Sequence, residues 1–137
     1  MTTINTIRGD TQIRVDKFFT EDWPNYEDTS TIVGWSAFTV KNIHCIKIGK
    51  LVFVNFDLEG TGDANAPYFT VPCTSTAEPD TNVTCFRAED DVTWTPGLAY
   101  LPNGSNVVWL YSSMAGGGWT NAVTRRAIGQ LWFVATE

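Results

Sequence analysis

At 137 residues the chain is long enough for one domain with its own core. Nine Lys and Arg against fifteen Asp and Glu leave a formal charge of -6, and Arg125-Arg126 is the sole adjacent basic pair, which disfavours nucleic acid and anionic membrane surfaces as partners. No apolar run approaches the roughly 20 residues that span a bilayer, and Met1 to Asn5 open no basic-then-apolar leader, so the expectation is a protein made in the cytoplasm without a secretory route.

In chain order, the first predicted element is a strand from Gln12 to Phe18. It lies in an N-terminal arm running through about Asp28, too polar and broken to close a core. The turn cluster Glu21-Asp22-Trp23-Pro24-Asn25 follows, and Trp23 with Tyr26 suits docking on another protein. Strands are predicted next at Trp35 to Val40 and His44 to Ile48. From Leu51 to Glu59 the period is two: Val52, Val54, Phe56 and Leu58 share one face, and Asn55, Asp57 and Glu59 the other. Phe53 breaks the polar face, which points to cover by another subunit.

After the turn Gly60-Thr61-Gly62-Asp63, further strands are predicted at Tyr68 to Val71, Val83 to Ala88, Asn106 to Tyr111 and Ile128 to Ala135. Turn clusters at Pro79-Asp80-Thr81-Asn82, Pro102-Asn103-Gly104-Ser105 and Gly116-Gly117-Gly118 separate them. Asn103-Gly104, between Ala99-Tyr100-Leu101 and Val107-Val108-Trp109, is the best hairpin signal. Many short strands with Gly, Pro and Asn turns predict an all-β fold, an antiparallel sandwich or jelly roll. The expected division is an arm over residues 1–28 and a knob over 29–137.

Reactive groups are few. Cys45, Cys73 and Cys85 are odd in number and lack CxxC spacing, so reduced, mostly buried thiols are expected, with a Cys73 to Cys85 bridge left open. His44 and Cys45 are strand neighbours and point to opposite faces, which denies them a catalytic pairing. Asp57 and Glu59 share a face about 7 Å apart, within the broad range of glycosidase pairs, but an open strand edge is the simpler reading. Glu89-Asp90-Asp91 lacks the order of a dedicated calcium loop, and the Gly116 to Gly118 run lacks the Lys-Ser/Thr of a phosphate loop. No catalytic residue, metal or cofactor is therefore expected. Among six tryptophans, Trp109 and Trp132 fall inside strand patterns and are expected in the core, whereas Trp94 and Trp119 are candidates for glycan or surface contact.

The run Val33-Gly34-Trp35-Ser36-Ala37-Phe38-Thr39, followed by Ile48-Gly49-Lys50-Leu51-Val52-Phe53-Val54-Asn55-Phe56 with Gly60-Thr61, resembles modules of bacteriophage virion proteins. Phe69-Thr70-Val71-Pro72 is similar to the strand those modules place next, and Trp119 through Phe133 to their closing strand. His44-Cys45 stands where aromatics are common in them, and no long fibre shaft accompanies the knob. The resemblance implies a β-sandwich or jelly-roll knob that forms homotrimers on a particle surface or at a tail-fibre tip. It leads us to expect a non-enzymatic virion structural protein, made in the host cytoplasm and fixed to other virion proteins by its arm as a capsid decoration or cement protein. The alternative is a receptor-binding tip that holds a host-surface glycan through loop aromatics, and a glycoside hydrolase using Asp57 and Glu59 is a remote third.

Overall fold

Alternating apolar residues give this chain strands with one face to bury, and short polar turns let consecutive strands pair antiparallel. The structure, a computed structural model, describes residues 20–76 and 82–137. The strand expected at Gln12 to Phe18 and most of the turn expected at Pro79 to Asn82 lie outside them. Among the described residues nine strands form one curled sheet: β1 (Thr20–Trp23), β2 (Ile32–Val33), β3 (Trp35–Ile48), β4 (Leu51–Gly62), β5 (Tyr68–Thr70), β6 (Asn82–Asp90), β7 (Thr93–Leu101), β8 (Val107–Tyr111) and β9 (Thr124–Val134). Their order across the sheet is β1-β3-β4-β9-β6-β7-β8-β5-β2, every pair antiparallel. A 3-10 turn, Tyr26–Asp28, is the one helical element among the described residues.

The topology itself curls the sheet. β2 is one edge and β3 lies next to the opposite edge, yet only Gly34 separates them in the chain. Gly34 has φ +115°, and a Cβ there would meet Pro67 Cα at 2.7 Å, so the corner requires glycine on both counts. The enclosed face carries the core: Ile43 and Cys45 of β3, Val52, Val54, Phe56 and Leu58 of β4, Phe86 and Ala88 of β6, Val108 and Leu110 of β8, and Ala127, Leu131 and Phe133 of β9. Phe56 packs against both Phe69 and Phe86, with centroids 5.1 and 5.8 Å away, and so ties β4 to strands from the far half of the sheet.

Several boundaries differ from expectation. Trp35 to Val40 and His44 to Ile48 are one strand, β3, whose pairing with β4 is interrupted by irregularities between Trp35 and Ala37 and between Phe38 and Val40. Gly60-Thr61-Gly62 remains in β4, where Gly60 and Thr61 are held between β3 and β9. Much of the turn expected at Glu21 to Asn25 is strand β1, whose charged Glu21 and Asp22 suit an exposed edge. β7 begins well before the expected Ala99, with Pro96 inside it; β8 pairs with β7 only at Leu98, Ala99 and Tyr100, so Pro96 sits where β7 lacks a neighbour on that side. Asn103-Gly104 does turn β7 into β8, with Ala99 opposite Leu110 and Tyr100 opposite Trp109.

Thr20 to Trp23 of the expected arm pair with Ile48 to Cys45 of β3. Trp23 and Tyr26 meet edge to face at 6.5 Å and pack against the core.

Candidate assembly face

The strict alternation of β4 that buries Val52 and Val54 sends Leu51 and Phe53 outward, and the inward phase of β9, set by Ala127, Leu131 and Phe133, sends Trp132 out with them. Register then places these residues side by side. Ile46, Phe53 and Trp132 form one rung across β3, β4 and β9, and Ile48, Leu51 and Val134 form the next. Trp132 is 60% exposed and Phe53 41%, with Ile48 and Leu51 also exposed. Val83, 52% exposed, stands at the start of β6 on the far side of a groove of about 500 Å³ that Phe53, Val83, Trp132 and Val134 line. Large apolar side chains in contiguous rungs on an outer face mark an interaction surface.

Further along the same face the chemistry turns polar. Arg126 grips Asp57 through two bonds, Nε to Oδ1 at 3.0 Å and Nη2 to Oδ2 at 2.9 Å, while its Nη1 lies 3.5 Å from Glu59. These carboxylates hold the guanidinium in its charged form, Asp57 foremost through its hydrogen bonds, and raise the Arg126 pKa. Asp57 and Glu59 therefore share one cation on an outer sheet face. Beyond them, Arg87 lies with its guanidinium 3.7 Å from the centroid of Trp94, which covers one face of that exposed indole.

The remaining candidates are spread around the sheet. His44 faces outward and meets Asp22 of β1 at 2.6 Å, while Cys45 is fully buried, so the two neighbours do point to opposite faces. Burial pushes the Cys45 thiol up to about 12. Tyr26 is raised mainly by burial, with Cys45 and Cys73 adding to it. The three cysteines are unbridged, and Cys85 is exposed, against the expectation of mostly buried thiols; its place on the outward phase of β6, between inward Phe86 and half-buried Thr84, accounts for this. Asp90, in the Glu89-Asp90-Asp91 run, accepts bonds from Thr120 N at 3.0 Å and Thr120 Oγ1 at 2.9 Å.

Trp119 belongs to the opposite end of the sheet, where the β4–β5 and β8–β9 loops meet around a pocket of about 510 Å³. Trp109, Tyr111, Asn65, Asn121 and Arg125 also line it. Trp119 stacks on Phe86 and donates its indole N–H to Leu110 O at 3.0 Å, so it is anchored as well as half-exposed. Beneath it lies Arg125, only 1% exposed. Its guanidinium donates to backbone carbonyls of Gly34, Asp63 and Thr120, one from each of three chain segments that come together here. Burial lowers its pKa, an effect that Asp90 and Asp63 oppose. The Gly116-Gly117-Gly118 turn is pinned by Ser112, whose hydroxyl donates to Gly118 O at 2.6 Å.

Two tryptophan placements also correct the sequence reading. Trp132 is not core, and its phase between Leu131 and Phe133 was the available signal. Trp109 is half-buried on the outward phase of β8, where it packs against Tyr68 at 4.9 Å. Arg125 was missed because a basic pair reads as solvated charge, although consecutive strand residues must point opposite ways. Compared with known proteins, the chain matches no family model and no curated sequence.

Proposed function

We propose that this protein is a non-enzymatic structural module of a bacteriophage virion, a jelly-roll-like knob that self-associates as a homotrimer and is attached to the particle by its N-terminal segment. The observation that carries the self-association is the pair of apolar rungs, Ile46-Phe53-Trp132 and Ile48-Leu51-Val134, set outward on a face that needs none of them for its own core. The virion assignment and the number three come from the resemblance of the Val33 to Phe56 run and of the strands after it. Capsid decoration or cement is the favoured placement. Light scattering coupled to size-exclusion chromatography tests self-association: a trimer is expected, and a monomer at micromolar concentration would remove the reading. Cryo-electron microscopy of intact particles tests the placement, with density expected over the capsid lattice.

A second reading, a receptor-binding tip, draws on the loop-end pocket. Aromatic and amide side chains together suit a saccharide, which offers an apolar ring face and a fringe of hydroxyls. Density at the tail tip and Asn121-dependent signal on a glycan array would favour this reading over decoration.

A further inference from the structure

The ladder between β6 and β9 is incomplete. It pairs Arg87 with Ile128, Ala88 with Ala127, Glu89 with Arg126 and Asp90 with Arg125, and then stops. Both strands continue, β6 back to Asn82 and β9 on to Val134, each fully paired on its other side with β7 and β4. Among the described residues, then, two strand edges part from a common vertex and face one another unpaired over residues 82–86 and 129–133. Gly129 sits at that vertex beneath Phe86, where a Cβ would lie 2.5 Å from the Phe86 Cβ. The groove of about 500 Å³ already described lies along these two edges. Its lining alternates apolar Phe53, Val83 and Trp132 with the amides Asn55, Asn82 and Gln130. Free backbone donors and acceptors beside apolar side chains form a template for one more strand.

We propose that this cleft receives residues 12–18 of a second copy of the chain. The proposal rests on the self-association above and names its contact. Three observations select the occupant. Gln12-Ile13-Arg14-Val15-Asp16 alternates, with Ile13 and Val15 in one phase and Gln12, Arg14 and Asp16 in the other, as a strand over a half-apolar groove requires, before Lys17 and Phe18 reverse the pattern. Residues 1–19 carry Arg8, Arg14 and Lys17 against Asp10 and Asp16, one positive charge net, while the rest of the chain holds -7 of the total -6, a long-range bias toward a second copy although the cleft lining itself is uncharged. Chain length then sets a limit at the Phe18 end of the same molecule's segment. Thr20 lies on β1, three strand spacings or about 14 Å from the cleft across β3, β4 and β9, while Phe18, two residues before Thr20, reaches at most about 7 Å from it. The whole segment cannot seat in its own cleft, and a neighbour's can.

The test uses full-length chains. In a Cys85→Ser background, which removes the exposed native thiol beside the cleft, protein carrying Val15→Cys is mixed with a size-tagged protein carrying Val83→Cys and oxidised mildly. A disulfide between the two chains is expected, several-fold above a control in which Thr39→Cys replaces Val83→Cys. Crosslinking no greater than the control overturns the proposal, as does a bond formed within one chain when both cysteines are placed together and diluted. Amide hydrogen exchange of the unsubstituted protein gives an independent reading. Residues 82–86 and 129–133 should exchange at least tenfold more slowly in the oligomer than in monomer obtained by dilution, and equal rates would contradict strand addition. A chain that is monomeric throughout removes the parent reading as well; an oligomer without the Val15 to Val83 bond removes this inference alone.

Discussion

Arg125 and Cys45 are the two residues whose chemistry is most changed by where the fold puts them. The Arg125 guanidinium stands in for a polar core at the loop end, donating to the carbonyls of Gly34, Asp63 and Thr120, of which Gly34 O also accepts from Asp63 N. Arg125→Met keeps much of the stem but removes all three bonds at a buried site, and it should lower stability by about 3 kcal/mol in urea titration. Arg126→Met, one residue on and outward, should cost less than about 1 kcal/mol. Cys45 predicts a pH dependence. Its folded pKa of about 12 lies above the ordinary 9.0, so the native state keeps the thiol proton that the unfolded chain gives up. Its contribution is complete below about pH 9 and is lost as pH rises toward 12. Cys45→Val should flatten the alkaline limb of a plot of melting temperature against pH, and an unchanged limb would assign that limb to other groups. Neither environment was legible beforehand: the sequence shows that neighbours diverge, but not which of two adjacent arginines meets a crowd of carbonyls.

At the level of strands, period and phase carried most of the information. The alternation of Val52 to Leu58 placed Phe53 on the outer face correctly, and the same logic applied to Leu131-Trp132-Phe133 would have placed Trp132 beside it. Trp132 was misassigned because an indole within a strand pattern was weighed by its hydrophobicity alone. β1 and the first part of β7 were misread for another reason: Pro24, Pro96 and Gly97 are breakers only where a strand needs neighbours on both sides, and edge status is a property of the assembled sheet. The outer face supports a direct prediction. Phe53→Asp and Trp132→Asp should each leave the circular dichroism spectrum and melting temperature nearly unchanged, because both side chains are substantially exposed. Each should nevertheless raise the dissociation constant of the oligomer at least a hundredfold, since burying a carboxylate in an apolar contact costs several kcal/mol.

For the whole molecule, all-β architecture and antiparallel pairing were legible from turn spacing, while strand order was not, because β4 and β9 pair across a long separation that no local pattern encodes. The position of β1 on the sheet gives a test of where the body of the protein begins. Deleting residues 1–28 removes the partly buried Trp23 and Tyr26 that pack against the core and should lower the melting temperature by about 10 °C in calorimetry. Deleting residues 1–19 alone should change it by no more than about 3 °C while weakening self-association. The central place of β9 also matters during synthesis. It is the last of these nine strands to leave the ribosome, yet it joins the β3–β4 hairpin to the β6–β7–β8 meander. Until it emerges, each nascent chain holds two half-sheets with bare apolar faces, and neighbouring chains on one message hold the same halves close by. Completion by β9 is therefore the step at which a copy commits to its own halves, and slowing translation just before Thr124 should increase the fraction of chains that aggregate.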